Sequence, residues 1–239
     1  MEILDACAKK LGVNLSKEQL ELFSVYYTDL VEWNNRFNLT RITGFEDVQI
    51  KHFCDSLTTV FALNPEAPGK NLRVIDVGTG AGFPGIPLKI AWPSISLTLL
   101  ESTGKKTVFL KHIDEKLGLS NVAIVTGRAE EAARLSHYRE KFDVVLCRAV
   151  AALPVLAELC LPFCAVGGRF IAQKKGDISE ETVQAARAIG VMGGLLREVK
   201  KINIPELADD RCLVIIDKVK QTPKEYPRRP GTPAKNPIL

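Results

Sequence analysis

With 239 residues, 46% of them hydrophobic and 25% charged, the chain is long enough to bury one large core with a small appendage and too apolar for a disordered polymer. No apolar run approaches the roughly 18 residues that cross a bilayer, and the acidic N-terminus is not a secretory leader, so a cytoplasmic protein with no membrane contact is expected. The net charge of +4, from 32 Lys and Arg against 28 Asp and Glu, suits an anionic partner without requiring one.

Residues 1–63 carry helical periodicity. Leu4, Cys7, Ala8 and Leu11 form one apolar stripe, and after Asn14 and Ser16, whose side chains suit a cap, Leu20, Phe23, Tyr27, Leu30 and Val31 form a second. The polar stretch 33–40 predicts a break, and 46–63 resumes as helix, so 1–63 reads as an N-terminal helical cap. Residues 64–71 hold two prolines and a glycine and predict a linker. From there to 220, strands and helices alternate. Strands are predicted at 72–77, 96–101, 122–126, 142–147, 169–174, 195–204 and 211–219. Helices are predicted at 85–92, 105–117, 129–135, 153–165 (ended by Gly167 and Gly168) and 179–188. Such alternation predicts an α/β fold with a mostly parallel seven-stranded sheet covered on both faces. The last two strands must be antiparallel, because 205–210 is too short for a crossover helix. Residues 221–239 hold five prolines and four Lys or Arg and read as a basic, extended C-terminal arm. The six cysteines are scattered without a Cys-x-x-Cys pair, so no metal site and no disulfide framework is expected; they read as reduced and buried.

The informative stretch is 72–85. A short β-branched run containing Asp76 leads into glycines at 78, 80, 82 and 85, with Phe83 and Pro84 ahead of a helix. A strand, a glycine loop and a helix N-terminus make a nucleotide-type site. Asp76 two positions before Gly78 would repel a pyrophosphate and favour an ammonium or sulfonium. S-adenosylmethionine carries both. Glu101, at the end of the next strand, falls where α/β cofactor folds hold ribose hydroxyls.

These residues, with Ser102, Thr103, Lys105, Lys106, Phe109, Leu110, Gly127, Arg128, Ala129, Glu130, Arg148 and Ala149, resemble the ribosomal RNA small-subunit methyltransferase G family, also called glucose-inhibited division protein B. Trp33, Asn34, Asn38, Leu39 and Thr40, then His52, Asp55, Ser56 and Leu57, and the ending from Tyr226 to Pro237 are similar too, so the resemblance spans nearly the whole chain. One departure is Glu101 where an Asp is expected, and it should leave ribose binding intact.

The resemblance implies a Rossmann-like class I S-adenosylmethionine-dependent methyltransferase that methylates N7 of one guanine in 16S ribosomal RNA. Cofactor contacts are implied for Asp76, Gly78, Gly80, Gly82, Phe83, Glu101, Ser102, Thr103, Ala129, Glu130 and Arg148. Ala129 and Glu130 would border the adenine partly through main chain. Arg148 could instead form only an ion pair with Asp76 or Asp143. Guanine N7 bears an unprotonated lone pair, so in-line transfer needs no general base and no catalytic acid or base is named. Cys147 reads as buried filler and His52 as a helix residue bonded to Asp55 or a backbone carbonyl. RNA-contact candidates are Arg36, Arg41, Lys105, Arg228, Arg229 and Lys235, with an rRNA or small-subunit partner and a monomeric enzyme. A methyltransferase for a small molecule, a protein or another RNA, and an NAD-dependent oxidoreductase or non-catalytic nucleotide-binding module, are the rival readings.

Overall fold

The structure, a computed structural model, describes residues 1–63, 71–148, 150–207 and 210–239. The expected linker lies, apart from Asn71, outside the described residues, as does Ala149. Seven strands form one sheet: β1 (Arg73–Val77), β2 (Ser96–Glu101), β3 (Val122–Thr126), β4 (Phe142–Arg148), β5 (Cys164–Lys175), β6 (Gly194–Ile202) and β7 (Arg211–Lys218), in the order β3-β2-β1-β4-β5-β7-β6. Strands β1 to β5 are parallel, and β7 runs antiparallel to both β5 and β6. The strand order reverses between β1 and β4, so their C-terminal ends open the crevice where such sheets bind ligands.

The helices are α1 (Glu2–Lys10), α2 (Lys17–Phe37), α3 (Phe45–Val48), α4 (Asp55–Leu57), α5 (Gly85–Ala91), α6 (Gly104–Leu117), α7 (Ala129–Ala132), α8 (Leu153–Cys160), α9 (Ser179–Val191) and α10 (Thr232–Lys235). A π-helical segment (Gln49–Cys54) joins α3 to α4, and a 3-10 turn (Thr58–Ala62) follows. Ser16 caps α2 as a full capping box with Gln19. The cap shares one apolar core with α5, α6 and one face of the sheet: Leu4, Phe23, Tyr26 and Phe53 pack in a single cluster with Phe83, Ile86 and Phe109. The other face is covered by α8 and α9.

Several expectations are corrected. Helix α2 continues through the predicted break to Phe37, because Trp33 and Phe37 share a face (ring centroids 5.5 Å) and Trp33 packs on Phe109 and His112 of α6. It ends at Asn38, in the left-handed conformation. The buried tyrosine of its stripe is Tyr26, while Tyr27 is half-buried. Helix α8 stops at Cys160 rather than 165, since Pro162 offers no N–H to continue the ladder. Gly167 and Gly168 lie inside β5, at a register shift between the Phe142 and Val144 pairings. Cys7 of α1 and Cys54 are joined as a disulfide (Cα–Cα 6.2 Å), contrary to the reduced state expected; the sequence separation of 47 leaves no local pattern to signal it. The other four cysteines are free and buried.

Candidate active site

Past β1 the chain is turned by Gly78 and tied to the neighbouring strand, the N–H groups of Gly78 and Thr79 both donating to the Leu100 carbonyl (2.8 and 3.2 Å). Asp76, wholly buried, braces the two ends of the loop: its Oδ2 accepts from the Thr79 hydroxyl (2.6 Å) and from the Gly85 N–H (2.8 Å). Its Oδ1 is buried with no partner. Burial raises the Asp76 pKa to about 6, against the lowering effect of those two hydrogen bonds. Glu101 latches the middle of the loop, its Oε2 accepting from the Gly80 N–H (2.9 Å) and its Oε1 from the Thr103 N–H (2.8 Å). A Cβ built on Gly80, whose φ is +64°, would meet nothing within 4 Å, so open space lies beside the loop there. At Gly82 the opposite holds: φ is +101°, and a Cβ would lie 2.4 Å from Ile86 Cδ1 and 2.7 Å from the Tyr26 hydroxyl.

That hydroxyl comes from the helical cap. Tyr26 of α2 donates to the Ala81 carbonyl, and its ring stacks on Phe83 (5.3 Å, 22°) and packs against Phe53. Phe83, itself buried, carries the His52 ring on it (4.4 Å, 19°) and the Arg148 guanidinium 5.0 Å from its centroid. Arg148, at the C-terminal end of β4, pairs with neither carboxylate expected for it. Asp143 is held by Arg73 (Nη2–Oδ1 2.8 Å), and the cap supplies Asp55 instead: Arg148 Nη1 donates to Asp55 Oδ2 (2.9 Å) and to the Lys51 carbonyl (3.3 Å). Arg211 of β7 approaches the same Asp55 oxygen at 3.6 Å. His52 is likewise not bonded to Asp55, and of the two partners expected for it only a backbone group, that of Lys51, acts on the ring. Its Nδ1 faces Arg148 Nη2 (3.3 Å) and its Nε2 faces the Thr40 hydroxyl (2.8 Å). Burial first, then the charge of Arg148, lowers its pKa to about 3, so the imidazole is neutral.

The remaining predicted positions lie around this centre. Ser102 and Thr103 are exposed just past β2, and the Gly127 N–H donates to the Glu101 carbonyl (3.0 Å), which brings 127–130 beside them. The Glu130 side chain accepts the Gly231 N–H (2.9 Å). Cys147 is fully buried beneath the strand edge. Of the RNA-contact candidates, Arg36 is exposed and 3.7 Å from Glu32, and Arg41, Lys105, Arg229 and Lys235 are exposed. The Arg228 guanidinium is held by buried Glu158 (Nη2–Oε2 2.6 Å). A cavity of about 850 Å³ lies further along the sheet, between α9 and the β6–β7 connection, with Arg211 in its lining.

Tyr26, Thr40, His52 and Asp55 are the members that sequence reasoning did not place at the site. Tyr26 fits the 23, 26, 30 spacing as well as Tyr27 fits 23, 27, 30, and only the packed helix separates them.

The family described as rRNA small subunit methyltransferase G matches residues 19–211. The chain is 52% identical over 229 residues to the ribosomal RNA small subunit methyltransferase G of Dehalococcoides mccartyi strain CBDB1, covering 96% of each chain. It is 46% identical over 238 residues to the protein of that name from Alkaliphilus metalliredigens strain QYMF, covering 100% of this chain and 98% of the relative. Among solved structures, the Methanococcus jannaschii fibrillarin pre-rRNA processing protein matches with a TM-score of 0.52 at 16% identity, over 67% of this chain and 73% of that one, which is a likeness of fold. The sheet is that of the class I S-adenosylmethionine-dependent methyltransferases. Identity near one residue in two, sustained from end to end, exceeds what shared architecture produces, and the chain belongs to the rRNA small subunit methyltransferase G family of S-adenosylmethionine-dependent methyltransferases.

Proposed function

We propose that this protein methylates N7 of one guanine in 16S ribosomal RNA, without a general base. One observation carries the reading. The ionisable side chains around the glycine loop are committed to structure: Asp76 and Glu101 brace the loop, Asp55 holds Arg148, and neutral His52 is bonded at both nitrogens. Among them only Asp76 keeps a buried oxygen without a partner, and guanine N7 has no proton to give.

The site fits the methyl donor. The unpartnered Asp76 Oδ1 suits an ammonium group, and each Glu101 oxygen keeps a lone pair for a ribose hydroxyl. The main chain of 78–82, with the open space beside Gly80, would take the amino-acid part, and Ser102, Thr103 and the main chain of Ala129 and Glu130 would flank the adenosine. S-adenosylmethionine supplies an electrophilic methyl on a sulfonium. The protein's own contribution is to hold Phe83 and Arg148 rigidly at the mouth of the crevice, to position the acceptor base and to exclude water. Arg36, Arg41, Lys105, Arg229 and Lys235, all exposed, would meet phosphates of rRNA or of a small-subunit particle, with the enzyme acting as a monomer in the cytoplasm.

The test is transfer of labelled methyl to small-subunit rRNA from cells lacking the enzyme, followed by nucleoside digestion. Label in N7-methylguanosine at one position is the expected result. Label in a different nucleoside, or in protein and not RNA, overturns the proposal.

A further inference from the structure

We infer that His52 is a positioning residue for the methyl-donor site, a neutral imidazole that fixes Arg148 against Phe83 and ties that guanidinium to the 38–44 loop of the helical cap. The inference rests on the proposed methyltransferase reading of the glycine loop.

The geometry runs in one direction. Arg148 can only donate, so His52 Nδ1 accepts, and the ring proton sits on Nε2 and is donated to Thr40 Oγ1. Thr40 is itself fixed. Its N–H donates to Asn34 Oδ1 (2.8 Å), and its hydroxyl oxygen accepts from the Ile42 N–H (3.1 Å). Tyr27 adds a further tie to the loop through the Thr43 carbonyl (3.3 Å). A loop held at these points carries Arg41, exposed, one residue from Thr40. The path from the cap surface to the mouth of the crevice is therefore Arg41, Thr40, His52, Arg148, with each link after the first a hydrogen bond.

A packing role alone explains less. Phenylalanine at 52 would still stack on Phe83, but it would leave Arg148 Nη2 and the Thr40 hydroxyl without the partners the imidazole provides. The charges acting on the ring are Arg148 from β4 and Arg211 from β7, both beside Asp55 of the next helical turn. Two guanidiniums already share one Asp55 oxygen, so a third cation in their place is disfavoured, in accord with a His52 pKa near 3.

Two readouts test this. Imidazole nitrogen NMR of the intact protein should show His52, among the three histidines, as the Nε2–H tautomer from pH 8 to pH 5. A His52 that titrates near 6.5, or that is protonated on Nδ1, overturns the inference. Single-turnover methylation with S-adenosylhomocysteine binding, in a double-mutant cycle, is the second. His52→Ala is expected to slow transfer roughly tenfold or more. His52→Asn, whose amide oxygen can accept near the Nδ1 position, should recover it to within about threefold of wild type. In an Arg148→Ala background the same His52→Ala change should cost less than about twofold, in rate and in S-adenosylhomocysteine affinity. An equal loss in both backgrounds makes His52 a packing residue and overturns the inference, while wild-type transfer to guanine N7 is scored separately. If His52→Ala does not fold, His52→Phe keeps the stack, removes both nitrogens and gives the same cycle.

Discussion

Tyr26 and His52, carried by the first 62 residues, lie against Phe83 and the glycine loop, whereas the last 19 residues wrap a different part of the same sheet. The expected extended arm ends in the short helix α10; ahead of it, residues 221–231 are rich in proline and form neither strand nor helix, so their carbonyls find no ladder. Arg139 donates to the carbonyls of Thr222, Pro223 and Tyr226, and Arg134 to those of Glu225 and Pro227. Arg228 closes on buried Glu158, and the Gly231 N–H donates to Glu130. Judged by charge only the arm looks like an RNA-binding addition, since residues 1–63 carry nine Asp and Glu against six Lys and Arg. In three dimensions the cap packs against the glycine loop through Tyr26 and His52, and the arm is a strap whose basic groups are partly internal, with Lys224, Arg229 and Lys235 left facing solvent. Charge composition reports that cations are present, and only burial reports whether they are available.

The contrast can be broken at several strengths. Gly80→Val should cost more than about a hundredfold in S-adenosylhomocysteine affinity while moving the melting temperature little, because the new side chain enters the open space beside the loop and the left-handed backbone costs only about 1–2 kcal/mol. An unchanged affinity by calorimetry would misplace the loop. Arg228→Ala leaves the Glu158 carboxylate buried and unpaired and should lower stability by about 3 kcal/mol in denaturant melts, with ligand affinity within twofold. Weakened binding without loss of stability would move the strap into the site. Tyr26→Phe removes one buried hydrogen bond to the loop, and about 1 kcal/mol, or roughly fivefold in ligand affinity, is expected with little change in melting.

The smallest effect is in pH. Folded His52 has a pKa near 3 against 6.5 unfolded, so between those values the unfolded state binds more protons. Its stability contribution is intact above pH 6.5 and is lost as pH falls toward 3, roughly 1 kcal/mol by pH 6. Asp76, raised to about 6 from 3.8, acts oppositely: its contribution is present below 3.8 and fades as pH rises through 6. His52→Asn should therefore flatten the acid loss measured by denaturation at pH 7 and pH 6, and a variant that loses stability as steeply as wild type would place that loss elsewhere.

What could be read in the sequence was whatever is local. The alternation of strands and helices, Gly118 ending α6, Ser16 starting α2, and the register of Asp76 against Gly78 all follow from neighbours within a few residues. Glu101 was legible because strand order in such sheets repeats. The partners of Arg148 were not, since Asp55 lies 93 residues away and reaches it only because the cap folds over β4 and β5. Cys7 with Cys54, Tyr26 with Ala81, and Arg228 with Glu158 are hidden for the same reason. The end of α8 is a different case: Pro162 and Gly167 competed as stop signals, and the missing N–H decided it.

Hydrogen exchange with and without saturating S-adenosylhomocysteine, at labelling times short of global opening, asks most directly whether the cap is part of the methyl-donor site. Added protection is expected in 76–85 and, with it, in the cap around Tyr26 and His52, and none in 221–239. Protection confined to the sheet, or appearing in the C-terminal segment and not in the cap, would contradict a cap that shares the site.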